Sequence, residues 1–259
     1  MSHARSALLA AGVAGLAAPL LAARLASAAD PADAPLWRML AAQAFFAALA
    51  LLLALRLGGC VRERLGLVRA RFSLPTLSAG VLGTLALSGA LQFAIEALAL
   101  APGSSLEHLE SIAAQALPVS PWLALAAFAL APAFAEELLC RGLLQRSLAP
   151  RLGRWAVAAS AALFALLHLD LVHTPAAFVL GGALGALAWW SGSTWLPIVC
   201  HLANNALAAA QQGFPTLAER MPRPQSGAAA VGWLLVSLLG LWAAARLSGT
   251  DSAGDEPSA

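Results

Sequence analysis

The chain has 259 residues, of which 60% are Ala, Val, Ile, Leu, Met, Phe, Trp, Tyr or Cys and 11% are charged, and its mean hydropathy is +0.78. Soluble chains reach only about 45 to 50% apolar residues even with glycine counted, so too little polar surface is left for a water-soluble enzyme, a disordered hub or a disulfide scaffold. The formal charge is +2, with 15 basic residues that are all arginine; they sit beside apolar runs as topology determinants do, which argues against nucleic acid as a partner.

Read for runs of about 20 apolar residues, the sequence predicts an all-α, polytopic integral membrane helical bundle with about eight transmembrane helices. The first segment covers about 6 to 28, the second about 36 to 56 and the third about 77 to 100. A fourth runs from Pro121 to about Leu148, a fifth from Trp155 to about Leu169, a sixth over about 175 to 190, a seventh over about 194 to 210 and an eighth over about 228 to 245. Residues 1–35 then form an N-terminal hydrophobic segment that is either a first membrane helix or a cleavable signal peptide. Residues 36–118 hold the early helices and an arginine-rich loop, 119–210 a core with the polar motifs, and 211–259 the last loop, the final helix and a polar tail.

Arg56, Arg62, Arg64, Arg69 and Arg71 lie between segments two and three, and Arg146, Arg151 and Arg154 between four and five. The positive-inside rule puts both groups on the cytoplasmic side, and an even number of spans puts both termini there if the first segment is retained. Between segments three and four the charges are Glu107 and Glu110, so that loop is expected outside. Signal-like features and heavy Ala and Arg usage point to a bacterial inner (plasma) membrane. Gly181 and Gly185 form a GxxxG that permits close helix approach. Pro132 and Pro197 stand four residues before Glu136 and His201, where each is expected to bend or loosen its helix.

Ionisable groups inside a span are costly and usually face the bundle interior, pair with each other or do chemistry. They concentrate in Glu136-Glu137-x-x-x-Arg141, Phe164-x-x-x-His168 and His201-x-x-x-Asn205, each on a predicted helix. Glu137 and Arg141 are four apart in the order that favours an ion pair. Glu136 is rotated by about 100° from Glu137 and so is the freer carboxylate. If the turn centres near Arg151, Glu136 and His168 lie about 23 and 26 Å from it at 1.5 Å per residue, nearly the same depth. His201 and Asn205 share one helix face. A carboxylate and a histidine holding a water, opposite a second histidine and an amide donor, form an amide-hydrolysis site in which the base takes the proton and the donors stabilise the oxyanion. The same groups also suit a proton-coupled transporter, or an adaptor or immunity protein without catalysis.

In their order and spacing the three motifs resemble the CAAX protease and bacteriocin-processing family, intramembrane glutamate-type endopeptidases that include the type II CAAX prenyl endopeptidases. The resemblance covers about residues 119 to 210 and extends loosely to Gly66-Leu67 after an early span. It implies that Glu136 and His168 activate the nucleophilic water, that His201 and Asn205 stabilise the oxyanion, and that Glu137 and Arg141 support the site. It also implies a membrane-associated protein or peptide as substrate. There is no HExxH, and the two motif histidines come from separate helices, so no metal and no other cofactor is expected. Cys60, Cys140 and Cys200 show no CxxC spacing.

Overall fold

A computed structural model describes residues 33–68 and 72–253. The first predicted segment and the signal-peptide alternative therefore lie outside the described residues. The protein is an all-α bundle. Among the described residues the helices are α1 (Ala34–Leu57), α2 (Val61–Arg64), α3 (Leu74–Ala97), α4 (Ser105–Ala116), α5 (Pro121–Leu152), α6 (Trp155–Leu166), α7 (His173–Ser191), α8 (Trp195–Gly213), α9 (Pro215–Arg220) and α10 (Gly227–Ala253).

The expectation of about eight transmembrane helices is corrected. Among the described residues, four helices are long and apolar enough to cross a membrane: Ala34–Leu57, Leu74–Ala97, Pro121–Leu152 and, within α10, Gly227–Ser248. The fifth, sixth and seventh predicted segments are helices but do not qualify. At 12 residues, α6 is about 18 Å long, well short of a hydrocarbon core of about 30 Å. Length is sufficient in α7 and α8, each with 19 residues, but their apolar character is diluted. His173, Thr174 and three glycines interrupt α7, while α8 carries His201, two asparagines and two glutamines. An apolar run that looks like a span in sequence is here a short or polar helix packed against the true spans. The segment between the third and fourth predicted spans, expected outside, is also helical. Ser104 accepts from the Glu107 amide at 3.3 Å while the Glu107 carboxylate accepts from the Gly103 amide, at 2.6 Å, a close variant of the capping box that starts α4.

Small residues set how closely the helices approach. Against α10, α3 packs so tightly that a Cβ on Gly240 would sit 2.8 Å from the Ala79 carbonyl oxygen and 2.9 Å from the Gly83 Cα. The GxxxG of α7 works in the same way, since a Cβ on Gly181 would meet Phe164 at 2.9 Å and one on Gly185 would meet the Gln145 amide oxygen at 2.9 Å. The bare carbonyls at those two positions accept from Arg141 Nη2 at 2.8 Å and from Gln145 Nε2 at 2.9 Å. Two rungs one turn apart thus join α5 to α7.

The most enclosed span is α5, with 56% of its apolar window buried against 39% or less in the other three. It has two π-helical stretches, Ala126–Leu130 and Leu138–Gln145, on either side of an α-helical turn that ends in Glu136 and Glu137. Such wide turns inside a helix are frequent at functional sites. Pro132 lies between them and has no N–H with which to close the helical bond to the Phe128 carbonyl. Pro197, by contrast, is the third residue of α8, within the first turn, where a missing N–H breaks no helical bond. The expected loosening ahead of His201 is therefore absent.

Candidate active site

The two adjacent acids are both buried and have different partners. Glu137, fully buried, accepts through a single oxygen, Oε1, from Arg141 Nη1 at 2.7 Å and from His201 Nδ1 at 2.9 Å. The i, i+4 pair read from the sequence is present, with a histidine from α8 added to it. Arg141 is itself 1% exposed. Its guanidinium also donates to the Gly181 carbonyl and stacks 4.4 Å from the centre of the Phe164 ring. One arginine thus satisfies a carboxylate, a backbone carbonyl and an aromatic face, which is how a buried guanidinium is made tolerable.

Glu136 faces away from that pair, as the 100° offset predicts, and accepts from Gln43 Nε2 of α1 at 2.8 Å. Sequence reasoning missed Gln43. It is a polar residue within an otherwise apolar span, and a search widened from ionisable to all hydrogen-bonding side chains would have found it. Its own Oε1 is buried without a partner, as is the second oxygen of Glu137.

His168 departs from its expected setting. Helix α6 ends at Leu166, so the histidine sits in the turn beyond it, just before Leu169 at a left-handed φ of 47°. Its Nδ1 lies 3.0 Å from the Phe164 carbonyl, which in the last turn also accepts from the Leu167 amide at 3.3 Å. Since a carbonyl can only accept, Nδ1 carries the proton, an arrangement that in the neutral tautomer leaves the lone pair on Nε2. The Phe164 ring contacts both motif histidines, with centroids 5.1 Å from His168 and 5.9 Å from His201. Phe164, the first residue of its motif, therefore joins the arginine and the two imidazoles. Between α5 and α6 the antiparallel contact is marked by Ser160 Oγ donating to the Cys140 carbonyl at 2.8 Å, a pair centred on residue 150, close to the turn the depth argument assumed.

On α8, Asn205 Nδ2 donates to the Phe128 carbonyl, in the first π-helical stretch of α5, at 3.2 Å. Asn204, buried beside it, donates to Asn205 Oδ1 at 3.2 Å. Together these bonds fix the amide so that one N–H points at α5 and the other is left over. Asp170 and His173 lie at the start of α7. One Asp170 oxygen accepts from the Val172 and His173 amides, and the other accepts from the Ser105 amide at 2.8 Å. These N–H groups hold the Asp170 carboxyl down at about 2, so it caps one helix and ties in the start of another. His173 packs against His168 with ring centroids 4.1 Å apart and planes tilted by 60°, and burial next to that second imidazole pushes it down to about 4.

The structure thus joins Glu137, Arg141 and His201 directly, holds His168 against the same Phe164 ring, and brings Gln43 to Glu136 and Asn205 to the backbone of α5. Among the described residues, no group of three or more His, Cys, Asp or Glu side chains is arranged to hold a metal ion. A protein-family model described as Type II CAAX prenyl endopeptidase Rce1-like matches residues 118–207, about a third of the chain. Comparison with curated proteins and with solved structures gave no match. The matched stretch carries every motif residue of the site and is similar to that family.

Proposed function

We propose that the protein is an intramembrane endopeptidase that hydrolyses a peptide bond of a membrane-associated protein or peptide. The observation that carries this reading is the buried Glu137 carboxylate shared by His201 and Arg141, within the stretch similar to a CAAX prenyl endopeptidase model. In the proposed reaction Glu136 takes a proton from a water that His168 holds through Nε2, and the hydroxide attacks the scissile carbonyl carbon. The oxyanion is stabilised by the second N–H of Asn205 and by His201 Nε2. Because the Nδ1–H of His201 is donated as a hydrogen bond to Glu137, the ring donates from Nε2 as well only as an imidazolium, and the Glu137 carboxylate supports that charge. Collapse of the tetrahedral intermediate breaks the C–N bond, and the departing amine takes the proton from Glu136. The arginine-rich ends, Arg56 to Arg64 and Arg146 to Arg154, face the cytoplasm in this reading.

The test is comparative mass spectrometry of membrane-protein termini in cells that carry the wild-type protein or the Glu136→Ala variant. New termini present only with the wild type support the assignment and identify the substrate. Identical termini with both, given equal amounts of folded protein, refute it.

A further inference from the structure

The turn that carries His168 is held by residues that belong to none of the three motifs. We propose that His173 is a positioning residue for His168, its ring packed against the imidazole that holds the attacking water. That role presupposes the water-holding histidine of the proposed function, whereas the packing itself does not.

Helix α6 ends at Leu166 and α7 starts at His173. The backbone between them takes a left-handed φ of 47° at Leu169, a conformation unfavourable for any residue with a Cβ. Burial does not offset that cost, because the Leu169 and Leu171 side chains are 87% and 96% exposed. Polar bonds hold the turn instead. One Asp170 oxygen accepts from the Val172 and His173 amides at 2.8 and 2.6 Å, and the other accepts from the Ser105 amide at 2.8 Å. The Asp170 amide donates to Thr174 Oγ1 at 3.1 Å, and the Thr174 amide donates to the Asp170 carbonyl at 2.9 Å. Strain that is over-determined by its surroundings in this way clusters at functional sites. Here it brings two imidazoles together. His168 and His173 are five residues apart in sequence and would be turned about 140° from each other on an unbroken helix, yet their ring centroids are 4.1 Å apart.

His168 lies beyond the end of its helix, and among the described residues its ring makes one hydrogen bond, from Nδ1 to the Phe164 carbonyl at 3.0 Å. A single bond fixes one ring atom and not the ring plane, and the outer torsion of histidine is broad, so that bond alone leaves Nε2 free to swing. Two ring contacts supply the missing constraint. Phe164 of α6 meets His168 at a centroid distance of 5.1 Å with planes at 64°, and His173 of α7 meets it at 4.1 Å and 60°. Asp170 fixes the His173 amide, and Ser105 Oγ lies 3.5 Å from His173 Nδ1, so the second ring stands on a braced base. With its pKa at about 4, His173 is uncharged near neutral pH and packs there without placing a charge beside His168. The contact calls for a planar ring and not for a titrating one.

The test is solid-state NMR of the full-length protein in lipid bilayers with 15N-labelled histidine, at about pH 8.5, well above the ordinary imidazole value of about 6.5. The chain has 5 histidines, and the spectrum of His168→Gln identifies the signals of His168. In the wild type His168 is expected in a single tautomer with the proton on Nδ1 and its two nitrogen shifts far apart. In His173→Ala the ring is released, both tautomers are populated and the two shifts converge, while His173→Phe, which keeps a planar ring and cannot titrate, restores the wild-type pattern. If His173→Ala does not fold, His173→Leu takes its place. Converged shifts in the wild type, an unchanged His168 pattern in the alanine or leucine variant, or a phenylalanine variant as converged as the alanine one overturns the positioning role. On the peptide identified by the comparison of termini, His173→Ala is expected to lower kcat about 3- to 10-fold, the loss of one ring contact, with KM unchanged, and His173→Phe to recover it. A wild-type kcat in His173→Ala overturns the role as well. No cleavage by the wild type, with the tautomer result as expected, counts against the peptidase reading and leaves the brace standing.

Discussion

Replacing Glu137 by glutamine tests the buried network more directly than any other substitution. The two side chains are nearly the same size, so no cavity is created and the change is one of charge. The wild-type carboxylate faces Arg141 and His201 with exposures of 0% for Glu137 and 1% for Arg141. Removing one member of a buried ion pair costs about 3 to 5 kcal/mol, because the remaining charge is left unbalanced away from water. The glutamine carbonyl still accepts one hydrogen bond, which favours the lower end, about 3 kcal/mol. For a chain of this size that corresponds to a drop in unfolding midpoint of roughly 6 to 12 °C. Arg141→Met in the same chain removes the stranded charge, so Glu137→Gln/Arg141→Met should recover much of the loss instead of adding to it. Thermal unfolding in detergent, followed by tryptophan fluorescence, reads all four corners of the cycle. A loss under about 1 kcal/mol for Glu137→Gln, or strict additivity in the double variant, would refute the picture of one carboxylate holding both the guanidinium and the imidazole.

Gln43→Leu deletes the N–H that Glu136 accepts at 2.8 Å; a bond to a charged group of about 1.5 to 3 kcal/mol predicts a fall in kcat of roughly 10- to 150-fold with KM unchanged, and a kcat equal to the wild type rejects an orienting role for Gln43. Gly181→Ala is expected to cost about 1 to 3 kcal/mol by overpacking against Phe164 and Arg141, whereas Gly182→Ala, with nothing within 4 Å of the added carbon, should not lower stability; equal losses at the two neighbours would contradict the packing of α6 and α7. His173 is held at about 4 in the folded state against about 6.5 unfolded, so the unfolded chain binds more protons between those values and stability falls as pH drops through that window. A plot of unfolding midpoint against pH shows this as a declining limb that His173→Asn flattens, and an unchanged slope in the variant would exclude His173 as its source.

Much of this arrangement was legible because the laws that reveal it are local. Helical spacing showed that Glu137 and Arg141 pair and that Glu136 points elsewhere. The cost of polar groups in an apolar run singled out His168, His201 and Asn205. What escaped were contacts made across the fold. Gln43 and Glu136 are 93 residues apart and His201 and Glu137 are 64 apart, and no periodicity connects such distances. The number of spans was overestimated for a related reason. Apolar composition is shared by membrane-crossing helices and by short or polar-interrupted helices packed against them, and α6 to α8 belong to the second kind. The end of α6 before His168 was equally hidden, since Leu167 and Leu169 carry no turn chemistry. The two glycines of α7 were visible as a motif, but only the structure shows that their carbonyls receive side chains from α5.

The loop that follows α1 is gripped from the far side of the sequence. Thr194 Oγ1 donates to the Leu65 carbonyl at 2.8 Å, the Thr194 amide donates to the Gly66 carbonyl at 2.9 Å, and a Cβ on Gly142 would stand 2.6 Å from the Leu65 oxygen. Together with the amide of Gln43, these attachments make the cooperative unit larger than the stretch in which the motifs can be recognised. A fragment cut at residues 118 and 207 would carry every acid and imidazole yet lack the support that orients one of its carboxylates and the clasp that seats its smallest residue. Transplanting this chemistry to another scaffold therefore means moving the early helix and its loop along with the motifs.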